Sequence, residues 1–391
     1  MFEKNKFIFL SKLFFFTNDN KLIKEKLSIV DLFYDQEVVL LIVAREATAR
    51  ELRPLIPEEY REKICVIGRG KNYKEIVKEY KAKGAIFGMI GIVEEDAIFS
   101  FNCKIPLFNP EQLIGPEVAI SNKVKNYGLP IIKFENIINC LKSYEIHKDN
   151  YFQIDFNEQY SVRSLNNANT HHKPTEEEDI KTIFATNLKA DESTRNQRIL
   201  LLLLFHLMNE ITTNKDFEEV DFWGTFPSSD PENTDTAISF IKEAVRKIVN
   251  GKPTSGPEIL IRKSPMNSKH SSRIQLRLTN KSNKDFETLI INPQLINEIK
   301  GKVICIIDDY ITNGYSAEAA KHLLLNAGAR KVIFISMGKF GGKYYSTDYD
   351  IDGDLSGSYS YKFCKETCWD GKGSYNPNSD VYILNFKDII N

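Results

Sequence analysis

The run Val303-Ile-Cys-Ile-Ile-Asp-Asp-Tyr-Ile-Thr-Asn-Gly-Tyr-Ser-Ala317 sets two carboxylates beside a glycine-bearing turn. Its first five residues, Val303 to Ile307, are apolar and predict a strand buried on both faces. Asp308 and Asp309 follow at its carboxyl end, and Thr312, Asn313, Gly314, Tyr315 and Ser316 form a turn that feeds a helix from Ala317. In an open α/β sheet, ligands bind beyond the carboxyl ends of the strands. The turn's main-chain N–H groups and the positive helix N-terminus suit a phosphate. Gly314 lets the backbone come close, and the Thr312 and Ser316 hydroxyls add donors. The carboxylates suit sugar hydroxyls, and they suit a magnesium ion reached through those hydroxyls or through water. An acid at a strand end can also simply cap a helix. The acid pair and Thr-x-Gly-x-Ser at this spacing together favour a ligand site.

Such a turn needs a sheet to carry it, and the chain reads as two of them. Over 1–150, Val38–Val43, Ile64–Ile67, Ala85–Ile90 and Lys104–Phe108 alternate with helical stretches, which predicts βαβ units and a mostly parallel sheet. Residues 151–195 are polar, with Asn166-Asn-Ala-Asn-Thr-His-His and Glu176-Glu-Glu-Asp179, and read as a linker holding one short helix near Ile180–Phe184. Over 196–391, an apolar helix Ile199–Ile211 precedes strands at Val220–Trp223, Glu258–Ile261, Val303–Ile307 and Val332–Ile335, with a last strand at Val381–Leu384. The fold class is therefore α/β, two parallel-sheet domains joined by a polar linker.

Composition excludes several classes. In 391 residues, 42% are apolar and 27% charged, so the chain can bury ordinary globular cores. Lys+Arg 52 against Asp+Glu 53 is no cationic nucleic-acid binder, and direct nucleic-acid binding is not expected. Six scattered cysteines suit a reducing compartment. Only Cys364 and Cys368 are close, with no second pair at zinc spacing. The apolar start Phe7–Phe16 is broken by Lys12, and Ile199–Met208 is too short to span a bilayer. A soluble, cytoplasmic protein without membrane partners is expected.

The segment 303–317 resembles the phosphoribosyl-pyrophosphate (PRPP) motif of type I phosphoribosyltransferases, in a layout most similar to the ComF-like branch. The resemblance spans about 197–340 and implies that family's fold for 196–391. It implies a phosphoribosyl donor as substrate, Asp308 and Asp309 as the acids at the reacting ribose, and 312–316 as the phosphate turn. It also implies a pyrophosphate loop at Gly224, Thr225, Ser228 and Ser229. A flexible basic loop would be furnished by Arg262, Lys263, Lys269, Arg273 and Arg277. The first domain resembles, more faintly, a Rossmann-like haloacid-dehalogenase-like (HAD) fold. There Leu13–Leu22 would be the opening strand, Thr17 standing where the nucleophilic Asp belongs and Asp19 matching the acid/base. Gly91–Asp96 would be the acidic magnesium segment, with Lys71 or Lys74 as the basic residue. A Thr hydroxyl without an adjacent base is a poor phosphate acceptor, so this domain is expected to be inactive. Three functions follow: a phosphoribosyltransferase, a PRPP or nucleotide sensor, and a bacterial stress or antiphage effector. In the effector, a protein partner docks on the first domain. A homo-oligomer is compatible with each.

Overall fold

The computed structural model describes residues 5–70, 72–146, 150–252, 254–266, 280–371, 374–376 and 379–390. Two compact units emerge: 1–147 with 247–251 and 385–391, and 148–246 with 252–384.

Unit 1 carries a six-stranded parallel sheet. Its strands are β1 (Lys6–Ser11), β2 (Val38–Ala44), β3 (Ile64–Gly68), β4 (Ile86–Ile90), β5 (Leu107–Asn109) and β6 (Leu129–Pro130). They lie in the order β3-β2-β1-β4-β5-β6, all parallel, so the winding reverses between β1 and β4. Every residue of β1 is buried, as a central strand covered on both faces requires.

The expected opening strand Leu13–Leu22 does not form. β1 ends at Ser11, Lys12–Phe14 make a 3-10 turn, and Phe14, Phe15 and Phe16 are all buried. The chain coils here and carries all three rings into the core. Thr17 and Asp19 sit in the exposed turn that follows, where the Thr17 hydroxyl donates to Asp19 at 2.5 Å. That bond and the Lys21 ammonium, the larger influence, pull the Asp19 carboxyl down to about 2. Lys74 is exposed on the helix Tyr73–Ala82, and Lys71 lies outside the described residues.

Unit 2 carries a six-stranded mixed sheet, ordered β16-β7-β8-β13-β12-β9. Here β7 is Phe152–Asn157, β8 Tyr160–Asn167, β9 Phe222–Thr225, β12 Val303–Ile311, β13 Lys331–Lys339 and β16 Ser374–Tyr375. β8, β13, β12 and β9 are parallel, while at one edge β7 runs antiparallel to β8 and β16 antiparallel to β7, so the sheet is mixed where a parallel one was expected. Two small antiparallel pairs accompany it: β10 (Leu260–Arg262) with β11 (Leu289–Ile291), and the hairpin β14 (Lys343–Gly353) with β15 (Tyr359–Asp370). The core packs Ile304, Ile306, Val332, Phe334 and Val162 of the sheet against Leu323 and Leu324 of the helix Tyr315–Asn326.

The stretch 151–195 is no linker. It supplies β7, β8 and the helix Thr175–Leu188, longer than the short helix expected there. All eight residues of β8 are buried. Three of its polar side chains are matched by partners distant in sequence: Ser164 bonds Ser336 (2.7 Å), Asn166 bonds His206 (2.8 Å), and Arg163 pairs with Asp216. Val381–Leu384, expected as a strand, falls in the helix Ser379–Leu384. All six cysteines are free thiols, and among the described residues no helix is long and apolar enough to cross a membrane.

Candidate functional site

β12 runs on past the acid pair to Ile311, held against β13 by the pairings Asp308–Ser336, Tyr310–Gly338 and Ile311–Lys339. Asp308 and Asp309 therefore lie on the strand itself, half-buried, at the point where β9 has ended and β12 keeps only one neighbour. The Asp309 N–H donates to Asp308 Oδ1 (2.9 Å) and the Tyr310 N–H to Asp309 Oδ1 (2.6 Å). Tyr310 packs against Phe340 with the rings tilted and their centroids 5.1 Å apart, and burial, helped by the Asp309 charge, pushes its phenol pKa up.

Thr312 and Asn313 turn the chain into Gly314, which takes φ +90° at the helix N-terminus with no side-chain cap. The N–H groups of Thr312, Asn313, Gly314 and Tyr315 donate to no acceptor among the described residues. Open donors at the start of a twelve-residue helix form an anion-binding concavity. Gly314 is required for a second reason: a Cβ there would lie 2.4 Å from the Tyr344 ring. Tyr344 is itself fixed, donating to Glu318 (2.7 Å) and bonded to Tyr160 (2.8 Å) in the core. The bulk of Tyr315 is taken up by stacking on Tyr345 (5.6 Å) and a bond to Glu366 (3.0 Å) on β15.

The acid pair and the whole 312–316 turn line one cleft of about 550 Å³, within the usual range for a small-molecule site. Of the expected pyrophosphate loop, Ser228 and Ser229 reach this cleft. Gly224 and Thr225 do not: they are the end of β9, with Gly224 packed under Ile259 and Ile306 and Thr225 bonded to Glu258 (2.9 Å). The loop begins only at Phe226.

Arg262 is not in a mobile basic loop. It sits buried on β10, donating to the Ser228 carbonyl (2.7 Å), Thr288 (2.6 Å) and Asp285 (3.0 Å). The Arg262–Asp285 pair is almost fully sequestered, so its guanidinium is spent on holding the 226–229 loop in place. Lys263 is exposed and outside the cleft wall; Lys269, Arg273 and Arg277 lie outside the described residues.

Besides Arg262, which reaches the cleft wall while tied to its partners, the cations that line the cleft among the described residues are Lys189, Lys281 and Lys284. Lys281 leans over Phe363 (3.5 Å) and pairs loosely with Glu366 (3.6 Å), whereas Lys189 and Lys284 make no ion pair among the described residues. Lys281 and Lys284 fall at the end of a basic stretch that the sequence marks, but nothing local separates them from Lys263. Lys189, at the end of a helix expected to be linker, carries no such signal. Among the described residues no group of three or more His, Cys, Asp or Glu side chains could hold a metal. Set against protein-family models, curated protein sequences and solved structures, the chain matches none.

Proposed function

We propose that unit 2 is a type I phosphoribosyltransferase-like module, which binds Mg–PRPP and transfers its 5-phosphoribosyl group. One observation carries this reading: Asp308, Asp309 and the 312–315 turn, whose N–H groups have no acceptor among the described residues, line the same cleft. The 5-phosphate would occupy the turn, and the ribose hydroxyls would bond the two carboxylates. Pyrophosphate would lie toward Ser228 and Ser229, with Lys281 and Lys284 offsetting its charge. Two hard carboxylates, with no larger ligand cluster among the described residues, suit a magnesium ion carried largely by the substrate's own oxygens. Bound there, magnesium would neutralise charge on the departing pyrophosphate.

The chemistry asks little acid–base work of the chain. The C1–O bond to pyrophosphate breaks, positive charge develops on the ribose ring, and an acceptor bonds C1. The protein's part is to orient the ribose, stabilise the leaving group and exclude water. Unit 1, whose parallel strands lie in the order β3-β2-β1-β4-β5-β6, is read as a Rossmann-like or HAD-like, non-catalytic module that docks a protein partner.

The test is titration of the full chain with Mg–PRPP by calorimetry, followed by an assay of pyrophosphate release with and without cell extract. Binding with release supports the transferase. Saturable binding alone turns the reading to a sensor, and release only with extract turns it to a partner-dependent effector. Absence of binding at millimolar PRPP overturns it.

A further inference from the structure

Lys339 ends β13 with its side chain fully buried. Its Nζ donates to the carbonyls of Thr312 (2.6 Å), Lys343 (2.8 Å), Phe340 (2.9 Å) and Gly341 (3.3 Å), and lies 5.3 Å from the centre of the Phe152 ring. An ammonium has three N–H bonds, so two of the four carbonyls share one. No carboxylate pairs with it among the described residues. A buried cation answered only by carbonyl dipoles is costly, and a strand could end without one.

What this arrangement controls is the turn. In a trans peptide the C=O and the next N–H point in opposite directions. With the Thr312 carbonyl held by Lys339, the Asn313 N–H is aimed the other way, and Asn313 lies in the cleft wall. The next plane is pinned from the same segment: the Tyr345 N–H donates to the Asn313 carbonyl (2.9 Å), which sets the Gly314 N–H. We propose that Lys339 is the positioning residue of the anion site, bracing the Thr312–Gly314 turn so that its N–H groups converge on a phosphate. This rests on the reading of the turn as the PRPP phosphate site.

Burial lowers the Lys339 pKa to about 8. The groups facing Nζ are the four carbonyls and Phe152 of β7. In register beside it lie Ile311 on β12 and Asn167 on β8. The ionisable residues on these segments are engaged elsewhere or set apart: Lys343 pairs with Asp370, Asp155 with Arg163, and Tyr160 with Tyr344. Asp309 accepts from the Tyr310 N–H, and Tyr310 packs against Phe340.

The test uses the full chain, wild type and Lys339→Met, with Mg–PRPP as probe and hydrogen exchange read at the Tyr345 N–H, whose bond to the Asn313 carbonyl holds only while the turn keeps its place. The expected result is at least tenfold weaker PRPP binding by Lys339→Met at pH 7, with faster exchange in the free protein. Wild-type affinity should fall about tenfold between pH 7 and 9.5, and the variant should be flat. Because the folded pKa lies below the unfolded lysine value of about 10.4, the unfolded chain holds more protons in that window. This group therefore raises global stability as pH rises, so affinity lost without thermal destabilisation marks the local turn. Equal binding and equal exchange in the two proteins overturn the proposal. If Lys339→Met does not fold, wild-type exchange protection of the Tyr345 N–H, corrected for intrinsic rate, decides: no loss between pH 7 and 9.5 overturns it. If wild type binds no PRPP, the site reading fails, while the exchange comparison still tests the brace.

Discussion

Each unit of this chain brings an acid to the carboxyl end of a parallel strand array, and the two ends are treated oppositely. In unit 1, Asp96 follows β4 beside the point where the winding reverses. Its carboxylate is consumed internally: it accepts from the Ile92 and Val93 N–H groups (both 3.0 Å), is bonded by Ser11, and pairs with Arg69 at 2.8 Å. Gly91 packs so closely that a Cβ would lie 2.9 Å from Leu107. The acidic segment expected to hold magnesium is thus the first turn of the helix Glu94–Cys103, capped by its own Asp96. In unit 2, Asp308 and Asp309 stay half-exposed over a cleft, and the basic residue nearest in role, Arg262, is committed to Asp285 instead. The difference that marks a candidate site is exposure: Asp96 is sealed in the core, whereas the unit 2 pair lines a cleft a ligand can enter.

The largest expected effect tests the open end. Asp308→Asn with Asp309→Asn removes charge-assisted bonds worth about 1.5–3 kcal/mol each, which is roughly two to four orders of magnitude in PRPP affinity. The thermal midpoint should hardly move. Calorimetry showing equal PRPP binding by the double variant would erase the contrast between the two ends.

Gly314→Val sharpens it from the scaffold side. A β-branched residue at φ +90°, with Tyr344 ring atoms 2.4 Å from its Cβ, must displace a buried tyrosine or flip the turn. A loss of about 3 kcal/mol in stability is expected. Denaturant unfolding measures it, and a wild-type midpoint would mean the ring yields freely.

The closed end should behave as structure alone. Asp96→Asn takes the charge from Arg69 and weakens two main-chain bonds, at a cost of about 2 kcal/mol in stability. PRPP affinity should stay at the wild-type value, and unit 1 should hydrolyse no phosphomonoester. A change in PRPP affinity, or magnesium-dependent phosphatase activity lost with this substitution, would show that the acid serves a ligand after all.

The smallest effect is on pH. His322, buried on the helix that begins at the turn, donates to the Thr347 carbonyl (2.7 Å), and burial holds its pKa below the ordinary value. Below about pH 6.5 the unfolded chain takes up a proton that the folded one resists, so stability is lost as pH falls. His322→Gln should flatten that slope by less than about 1 kcal/mol. An unchanged slope would place the acid sensitivity in other groups.

Local order alone determined that 303–326 runs strand, turn, helix, because five apolar residues, an acid pair and a glycine turn state that succession without reference to the rest of the chain; pairing with β13 carried the strand on to Ile311, and the helix starts at Tyr315. The same holds for β2, β3 and β4, whose apolar runs appear where expected. What tertiary structure decided is the placement of polar residues. Ser164, Asn166 and Arg163 read as linker because their type is costly to bury, yet they lie in a central strand with partners such as Ser336, 172 positions away. Arg262 reads as a mobile charge and is a buried tie, while Lys339 carries no local signal and holds the turn. Apolar burial is non-directional and legible in a short window. A buried polar group is decided by whether the fold brings it a hydrogen-bond partner, and that partner is set only when distant strands meet.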